Sequence, residues 1–433
     1  MLTIVLIDVI LLIALLMMSI PLPFCFGGAL LFMVLFGDVS MKSMMLWGFN
    51  QMISPVLLAS PIFILAGTLI GQSGVAKRLL DFADVFVGRV KGGIGVVSIV
   101  TCALLGAISG SGFTGIAATG PIMIPRMVKQ GYPKGYATAL VTISSILGLL
   151  IPPSVVMIMY GWVTGTSILA SFLSTIGPGI LTVVVFSVIN LIWSRKFPNI
   201  VLDDVLTLKQ RGRKFVDCTW KGIPALLLPV IILGGIYGGV FTPTEAAAVS
   251  LIFTVPIGFF IYRGLNFNKF YTTVLESATS IGAIMTMIIF CLMLSQTYVL
   301  LHVPQAIIEM FFSITQSKVI MLLIINVFLF IVGMIVNDTT GVILVAPLLL
   351  PLVQKLGMSP IHFASILGVN LAAGGVTPPY ASILYLGMRI GKCEFHEIFK
   401  PTMVFLGAYI PIIFVTTFWP ELSLFIPRLF GFV

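Results

Sequence analysis

Asp338 is the residue with the most suggestive chemistry, because it is the only carboxylate close to either of two short polar stretches that interrupt apolar sequence. Its neighbours Asn337, Thr339 and Thr340 are polar as well. An acid inside a long apolar region is costly unless it is paired or takes part in function. We therefore predict a functional role for Asp338, over the alternative that it only caps a helix.

The corresponding stretch in the first half of the chain contains Ser109 and Ser111, with Thr114 just beyond it. The position that corresponds to Asp338 is Gly112, so the two stretches need not form equivalent sites. Hydroxyl side chains suit a polar ligand, and small residues equally serve close helix packing in membranes. Both interpretations of the three hydroxyl residues stay open.

Both polar stretches border an internal repeat. Residues 114–161, moved forward by 226 positions, fall on residues 340–387, and ten residues coincide without a gap. Four of the ten pairs are prolines: Pro121/Pro347, Pro125/Pro351, Pro152/Pro378 and Pro153/Pro379. Proline fixes φ and lacks an N–H donor, so it interrupts helices. The same interruption in two copies is typical of transporters built from two repeated halves.

Each copy predicts two elements. The polar stretch joins two apolar arms that are too short to be independent spans, which favours a re-entrant helical hairpin with its tip inside the membrane. The proline pair predicts that the next transmembrane helix is broken part-way. Irregular backbone at that depth must be buried or line a cavity, so we expect tip and break to face each other in each half. Free carbonyls there suit a cation, and helix N-termini suit an anion.

The composition predicts an all-α polytopic membrane protein. Of 433 residues, 59% are hydrophobic and 9% are charged, whereas soluble proteins carry about 25% charged residues. Several apolar runs are long enough, or nearly so, to cross about 30 Å of hydrocarbon. They cover residues 2–20, 55–70, 168–193, 222–240, 280–301 and 319–336.

The net charge of +9 has a topological interpretation. Basic residues cluster in the longest polar stretch, residues 194–221, and the positive-inside rule predicts that this stretch is a cytoplasmic loop. We favour that interpretation over binding of anionic lipid or another partner, and no nucleic-acid partner is needed. The loop separates two predicted repeats, residues 1–193 and 222–433. The cluster consists of Arg195, Lys196, Lys209, Arg211, Arg213, Lys214 and Lys221.

Enzymatic chemistry is not expected. The sequence lacks the paired acids, serine with a base, or HExxH motif of intramembrane proteases, and it lacks a GxxxxGK[ST] nucleotide loop. The five cysteines are scattered and the three histidines have no metal-ligand spacing. Glu245 is an acid in apolar surroundings, but Thr242-Pro243-Thr244-Glu245 predicts a capping box at a helix start.

Four motifs together resemble the large membrane subunit of tripartite ATP-independent periplasmic (TRAP) transporters, the DctM-like component. They are residues 234–248, Gly120-Pro121 through Pro125, Ile151-Pro152-Pro153-Ser154, and Thr377-Pro378-Pro379. The resemblance covers essentially the full length. It implies inverted repeats and an elevator mechanism, in which the hairpins and broken helices move and the remaining helices form a scaffold.

The same resemblance implies sodium-driven import of carboxylate-bearing solutes, such as C4-dicarboxylates, other organic acids or sialic acids, across the bacterial inner membrane. It implies a four-helix small membrane subunit and a periplasmic substrate-binding protein as partners, within the lipid bilayer. The implied sodium ligands are Ser109, Gly148, Pro152, Asn337, Gly374 and Thr377. The implied substrate residues are Ser111, Thr114, Asp338 and Thr340.

Two other interpretations stay open. A related sodium/anion symporter would use the same hairpin core and take up its substrate without a binding protein. A membrane structural or channel subunit would show passive flux or none, whereas a symporter needs the ion gradient.

Overall fold

The computed structural model describes residues 2–18, 20–87, 90–198, 200–201 and 208–432. Within these ranges the regular structure is helical and no strand occurs. The prediction of an all-α protein is confirmed.

The first half of the chain forms helices α1 to α11. They are α1 Leu2–Met17, α2 Leu22–Phe36, α3 Met41–Met52, α4 Pro55–Ser73, α5 Val75–Val87, α6 Gly93–Ser109, α7 Gly112–Lys129, α8 Lys134–Ser144, α9 Leu147–Leu150, α10 Val155–Thr164 and α11 Ile168–Ser194.

The second half forms helices α12 to α21, with one π-helical turn at Ile257–Ile261. They are α12 Leu208–Tyr237, α13 Pro243–Pro256, α14 Phe267–Leu300, α15 Val303–Ile314, α16 Lys318–Ile335, α17 Asp338–Lys355, α18 Pro360–Gly374, α19 Ser382–Gly391, α20 Phe395–Phe418 and α21 Glu421–Leu429. Helices α7 and α17 start and end 226 positions apart, which is the spacing of the sequence repeat.

Nine helical segments in the described part of the chain are long and apolar enough to cross a membrane. They include α16 and α17, the two arms of the second predicted hairpin, so the prediction that the arms are too short to be independent spans is wrong for that half. Of an 18-residue apolar stretch within Lys134–Thr164, which contains α8 to α10, 94% is buried inside the protein, whereas 33% of Lys318–Ile335 is buried. The first broken helix therefore lies at the centre of the molecule, and helices such as α16 leave much of their surface for lipid or a partner.

The helices pack into two groups around this centre. In one group, α4 contacts α13 and α14, and α14 also contacts α2 and α3. In the other, α11 contacts α6, α9 and α18, and α20 contacts α8 and α18. The hairpin arms join the two groups, because α7 contacts α4 and α17 contacts α14.

The predicted capping box at the start of α13 is present. The Thr242 N–H donates to Glu245 Oε2 over 2.8 Å, and the Glu245 N–H donates to Thr242 Oγ1 over 3.3 Å. Pro243 occupies the first helical position, where its missing N–H costs nothing. Glu245 is therefore used locally, as the capping interpretation predicted.

The sequence predicted that the basic stretch 194–221 is a loop, but part of this stretch is helical. Residues 208–221 form the first turns of α12, and α11 extends to Ser194. No proline precedes Pro224 in α12, so nothing in this stretch prevents a helix. Residues 202–207 of the predicted loop lie outside the described residues, as do the side chains of three of its basic residues, Lys209, Arg211 and Lys214.

Candidate functional site

The first hairpin turns over two residues. Helix α6 ends at Ser109, Gly110 adopts a left-handed conformation with φ of 64°, and α7 begins at Gly112. A side chain would strain this conformation. It would also clash, since a Cβ on Gly110 would lie 2.6 Å from the Pro153 carbonyl oxygen. The glycine therefore lets the tip approach the proline break.

The second hairpin turns at Val336 and Asn337, before α17 begins at Asp338. The Thr339 N–H donates to Asn337 Oδ1 and to Asp338 Oδ1, over 3.0 Å in each case. Asn337 is therefore the N-cap of α17, and Asp338, the first residue of the helix, accepts the same N–H with one carboxylate oxygen. The Asp338 side chain also lines a cavity, so this hydrogen bond does not account for all of its surroundings.

The two proline breaks lie where the sequence predicted them. In the first half, residues 151–154 separate α9 from α10, and in the second, residues 375–381 separate α18 from α19. The Pro152–Pro153 and Pro378–Pro379 peptide bonds are cis.

Each tip is joined to the break of its own half by a backbone hydrogen bond. The Val155 N–H donates to the Gly110 carbonyl over 3.1 Å, and the Tyr380 N–H donates to the Met334 carbonyl over 3.0 Å. The expectation that tip and break face each other is confirmed in both halves.

Glycine pairs bring the same elements together one turn deeper. A Cβ on Gly106 would lie 2.6 Å from Gly148 Cα, and a Cβ on Gly333 would lie 3.1 Å from Gly374 Cα. A Cβ on Gly148 would also lie 2.6 Å from the Ser111 carbonyl oxygen. Backbone therefore meets backbone in both halves, which concentrates carbonyl dipoles at the helix ends.

A cavity of about 1020 Å³ lies between these elements and the α4/α14 group. Both tips, the second break, the residues that flank the first break, the end of α1, and α4 and α14 contribute to its wall. The polar side chains in the wall include Ser60, Thr68, Gln72, Ser111, Thr114, Thr273, Glu276, Ser280, Asn337, Asp338, Thr339, Tyr380 and Tyr385.

The substrate residues implied by the sequence divide into two sets. Ser111, Thr114 and Asp338 line the cavity. Thr340 is fully buried, and its hydroxyl donates to Met287 Sδ over 3.1 Å. Residues two apart lie about 200° apart around a helix, so Thr340 faces α14 when Asp338 faces the cavity.

Of the implied sodium ligands, Asn337 lines the cavity, while Ser109, Gly148, Gly374 and Thr377 lie behind the tips and breaks. Pro152 lies in the first break and does not line the cavity either. The Ser109 hydroxyl donates to the Leu105 carbonyl over 2.9 Å, and the Thr377 hydroxyl donates to the Ala373 carbonyl over 2.8 Å. Each oxygen keeps lone pairs for a cation.

The cavity wall contains two carboxylates, Asp338 and Glu276, and no Lys, Arg or His among the residues that the structure describes. Elsewhere in the described ranges no group of three His, Cys, Asp or Glu residues could hold a metal ion. A cation here would be held largely by neutral oxygens, which suit a hard ion.

Sequence reasoning missed Glu276, Tyr380 and Tyr385. Glu276 is the acid nearest the middle of the long apolar helix α14, and that position was a usable signal. The two tyrosines could have been located only by their closeness to the second proline pair.

The comparison with protein families gives one description: the model of "Tripartite ATP-independent periplasmic transporter, DctM component" matches residues 9–422. The chain is 37% identical over 377 residues to YgiK of Salmonella typhimurium, covering 87% of this chain and 85% of that protein. It is 32% identical to a C4-dicarboxylate TRAP transporter large permease of Pseudomonas aeruginosa, covering 94% of this chain and 93% of that protein.

A longer relative is the isethionate TRAP transporter permease DctMQ of Oleidesulfovibrio alaskensis, at 33% identity. The match covers 95% of this chain and 64% of that protein. Among solved structures, the YdaH transporter of Alcanivorax borkumensis aligns with a TM-score of 0.56 at 17% identity, covering 89% of this chain and 91% of that one. At that identity the likeness concerns the fold alone.

Proposed function

The chain belongs to the DctM component family of TRAP transporters, and on that premise we propose that it is the large subunit of a sodium-coupled importer of carboxylate-bearing solutes. It is a multi-pass membrane transport protein and not an enzyme. Relatives are named for C4-dicarboxylates, isethionate, ectoine and sialic acid. The observation that carries the proposal is the cavity in which both tips, the second break and the residues that flank the first break meet α4 and α14.

The solute's anionic group binds at the first tip. Ser111 precedes α7 without making a side-chain capping bond, so the first N–H groups of that helix stay available. The N-terminal residues Val155 and Val156 of α10 line the same cavity. Helix N-termini favour anions, which supports anion binding in a cavity wall without a basic side chain.

Sodium binds behind the tips, among oxygens at helix C-termini. Ser109 ends α6, Gly374 ends α18, and Gly148 lies in the last turn before the first break. The negative end of a helix dipole favours a cation. Bound there, sodium would hold each tip against its break and offset the negative charge of Asp338.

The two halves form repeats, and the family resemblance implies that they are inverted. Two polar contacts at corresponding positions support the repeat: the Tyr136 hydroxyl donates to Asn190 Oδ1 over 3.1 Å, and His362 Nε2 lies 2.8 Å from the Thr416 carbonyl oxygen. Both partners are related by 226 positions. Each contact joins a broken helix to the helix that follows it.

An elevator motion carries the cavity across the membrane. We revise the division that the resemblance implied, because α11 and α20 pack against the broken helices. The moving body therefore consists of α6 to α11 and α16 to α21. The scaffold consists of α1 to α5 and α12 to α15, with α4 and α14 facing the hairpins.

The cavity reaches the cytoplasmic side in this arrangement. It extends to Gln72 near the end of α4. Ser73, the residue after Gln72, lies directly beside Gly264, because a Cβ on Gly264 would contact the Ser73 carbonyl. The Tyr262 hydroxyl donates to the Lys221 carbonyl over 3.0 Å, which joins that end to the basic stretch. The positive-inside rule assigns it to the cytoplasm of a bacterial inner membrane.

The proposed partners are a small four-helix membrane subunit and a periplasmic substrate-binding protein. The longer DctMQ relative supports the first, because this chain spans 64% of its length. Exposed apolar residues of α1 and α2, such as Leu6, Ile10, Phe24 and Leu35, leave scaffold surface for that subunit or for lipid.

A disulfide between scaffold and moving body tests the motion. A Cβ on Gly71 of α4 would lie 3.4 Å from Ala118 Cβ of α7, close to the separation that disulfides require. We expect Gly71→Cys with Ala118→Cys, in the reconstituted complex, to lose sodium-driven uptake on oxidation and to regain it with reductant.

The matched control places both cysteines in the moving body. The Ser365 and Ser423 hydroxyl oxygens are 2.9 Å apart, and a disulfide between Ser365→Cys and Ser423→Cys should leave uptake unchanged. Uptake that survives a complete Gly71–Ala118 crosslink would rule out the elevator motion. Equal uptake with a proton gradient in place of sodium would rule out the proposed coupling ion.

A further inference from the structure

The second hairpin contains a backbone carbonyl that its own helix cannot satisfy. Pro347 lies inside α17 and has no N–H to offer the Ile343 carbonyl, four residues earlier. Ile343 is fully buried, so water does not replace the missing donor. A buried carbonyl without a partner is costly.

A scaffold side chain supplies the donor. The Ser295 hydroxyl of α14 donates to the Ile343 carbonyl over 3.1 Å, and Ser295 is 5% exposed. One turn earlier, Cys291 Sγ lies 3.6 Å from the Thr340 carbonyl oxygen. Because residues four apart share a helix face, both contacts belong to one face of α14 that meets the second hairpin.

The first hairpin has a corresponding free carbonyl in different surroundings. Pro121 removes the N–H that the Ala117 carbonyl would use. Ala117 is exposed and lines the cavity, so this carbonyl needs no side-chain donor, and in the described part of the chain none is seen to bond to it. The scaffold helix there presents Gly67 and Gly71. A Cβ on Gly67 would lie 2.7 Å from Thr114 Oγ1, and one on Gly71 would contact Ala118.

The two interfaces correspond position by position. Thr114 and Ala117 match Thr340 and Ile343 at the 226-residue spacing, whereas Gly67 and Gly71 of α4 match Cys291 and Ser295 of α14 at a spacing of 224. Gly67 meets Thr114 as Cys291 meets Thr340, so Gly71, one turn later, occupies the place of Ser295. The second hairpin is therefore bonded to the scaffold, whereas the first one lies on glycines.

We propose that Ser295 is a positioning residue that holds the second hairpin on the scaffold in the inward-facing arrangement, through the carbonyl that Pro347 leaves free. The proposal rests on the elevator motion proposed above. The hydrogen bond must break in each transport cycle, while the glycine surface of α4 lets the first hairpin slide. Ser295 thereby sets the balance between inward- and outward-facing protein without touching the solute.

The test measures that balance directly. Spin labels at Lys196→Cys on the moving body and Lys269→Cys on the scaffold report inward and outward distances in the reconstituted complex, without solute. We expect Ser295→Ala to lower the inward-to-outward ratio about two- to tenfold, the change that one neutral hydrogen bond produces. Thr286→Val is the matched control, because the exposed Thr286 hydroxyl bonds only to Gly282 of its own helix.

A second variant keeps the proposal testable if Ser295→Ala folds poorly. Gly71→Ser adds a hydroxyl donor beside Ala118, the residue that follows the free Ala117 carbonyl, and we expect it to raise the inward-to-outward ratio relative to Gly71→Ala. An unchanged ratio in Ser295→Ala, or an equal change in Thr286→Val, overturns the proposal. If the Gly71–Ala118 crosslink blocks uptake and the ratio still does not respond, the elevator stands and the role of Ser295 falls.

Discussion

The glycine contacts behind the first tip give the most direct test of the site, through Gly148→Ala. The new Cβ would lie 2.6 Å from the Ser111 carbonyl oxygen and 2.9 Å from Ser111 C. Ordinary contact begins near 3.4 Å, so about 0.8 Å must be absorbed by backbone at the tip. Gly148 does not have a left-handed φ, so the cost is steric and not conformational.

Overpacking of this kind costs about 1–3 kcal/mol. If the tip and break together bind sodium, that cost weakens sodium binding about fivefold to about 150-fold. We expect Gly148→Ala to raise the sodium concentration for half-maximal uptake within that range. Sodium-dependent uptake and thermal unfolding of the purified complex would be measured together, which separates loss of binding from loss of folding.

Gly407→Ala is the matched control, because a Cβ on Gly407 of α20 meets nothing within 4 Å. It should leave the sodium dependence unchanged and cost no stability, since alanine favours helix over glycine. If Gly148→Ala kept the sodium dependence of the control, the close approach of Gly148 to Ser111 would have no part in cation binding.

Three further outcomes are expected. Asp338→Ala should abolish or severely reduce uptake while the protein still inserts and assembles. Asp338→Asn should retain more uptake than Asp338→Ala if the role of Asp338 is hydrogen bonding. Near-normal uptake by the Ala variant would leave Asp338 with no role beyond capping its helix. Tyr298→Phe should lower the free energy of unfolding by about 1–3 kcal/mol in thermal unfolding, because it removes the hydroxyl that donates to the buried Asp8 Oδ2 over 2.6 Å. Tyr271→Phe, at an exposed position of the same helix, should leave the stability unchanged. The purified chain without partners should transport free solute poorly, and robust sodium-driven uptake would favour the binding-protein-independent symporter.

The sequence predicted the backbone of the site well, because proline and glycine act locally. The proline pairs end helices wherever the chain runs, so the breaks before Val155 and Ser382 follow from residue type. Apolar length predicted the spans for the same reason. The first turns of α12 were missed because charge density indicates exposure and does not exclude a helix.

The side chains that complete the site depend on packing and were harder to predict. Glu276 and Ser295 share α14, yet one lines the cavity and the other meets a buried carbonyl. Which face of α14 meets the hairpin is decided by the tertiary contacts, not by the sequence of the helix. Thr340 is a second example. Its hydroxyl is a suitable ligand for a solute, but its side chain points toward Met287 of α14 and away from the cavity.

The two halves are alike in backbone and unlike in side chains, and that difference explains how a repeated fold could serve one solute. A backbone hydrogen bond joins each tip to its break, although the bonded positions differ between the halves, so both hairpins are held in the same general way. The first tip has no side-chain cap on its N–H groups and has glycine at position 112, whereas Asn337 and Asp338 both accept the Thr339 N–H of the second tip. We therefore expect an anionic group to be favoured at the first tip and disfavoured beside the Asp338 carboxylate, which would orient a solute that symmetric tips would bind either way round.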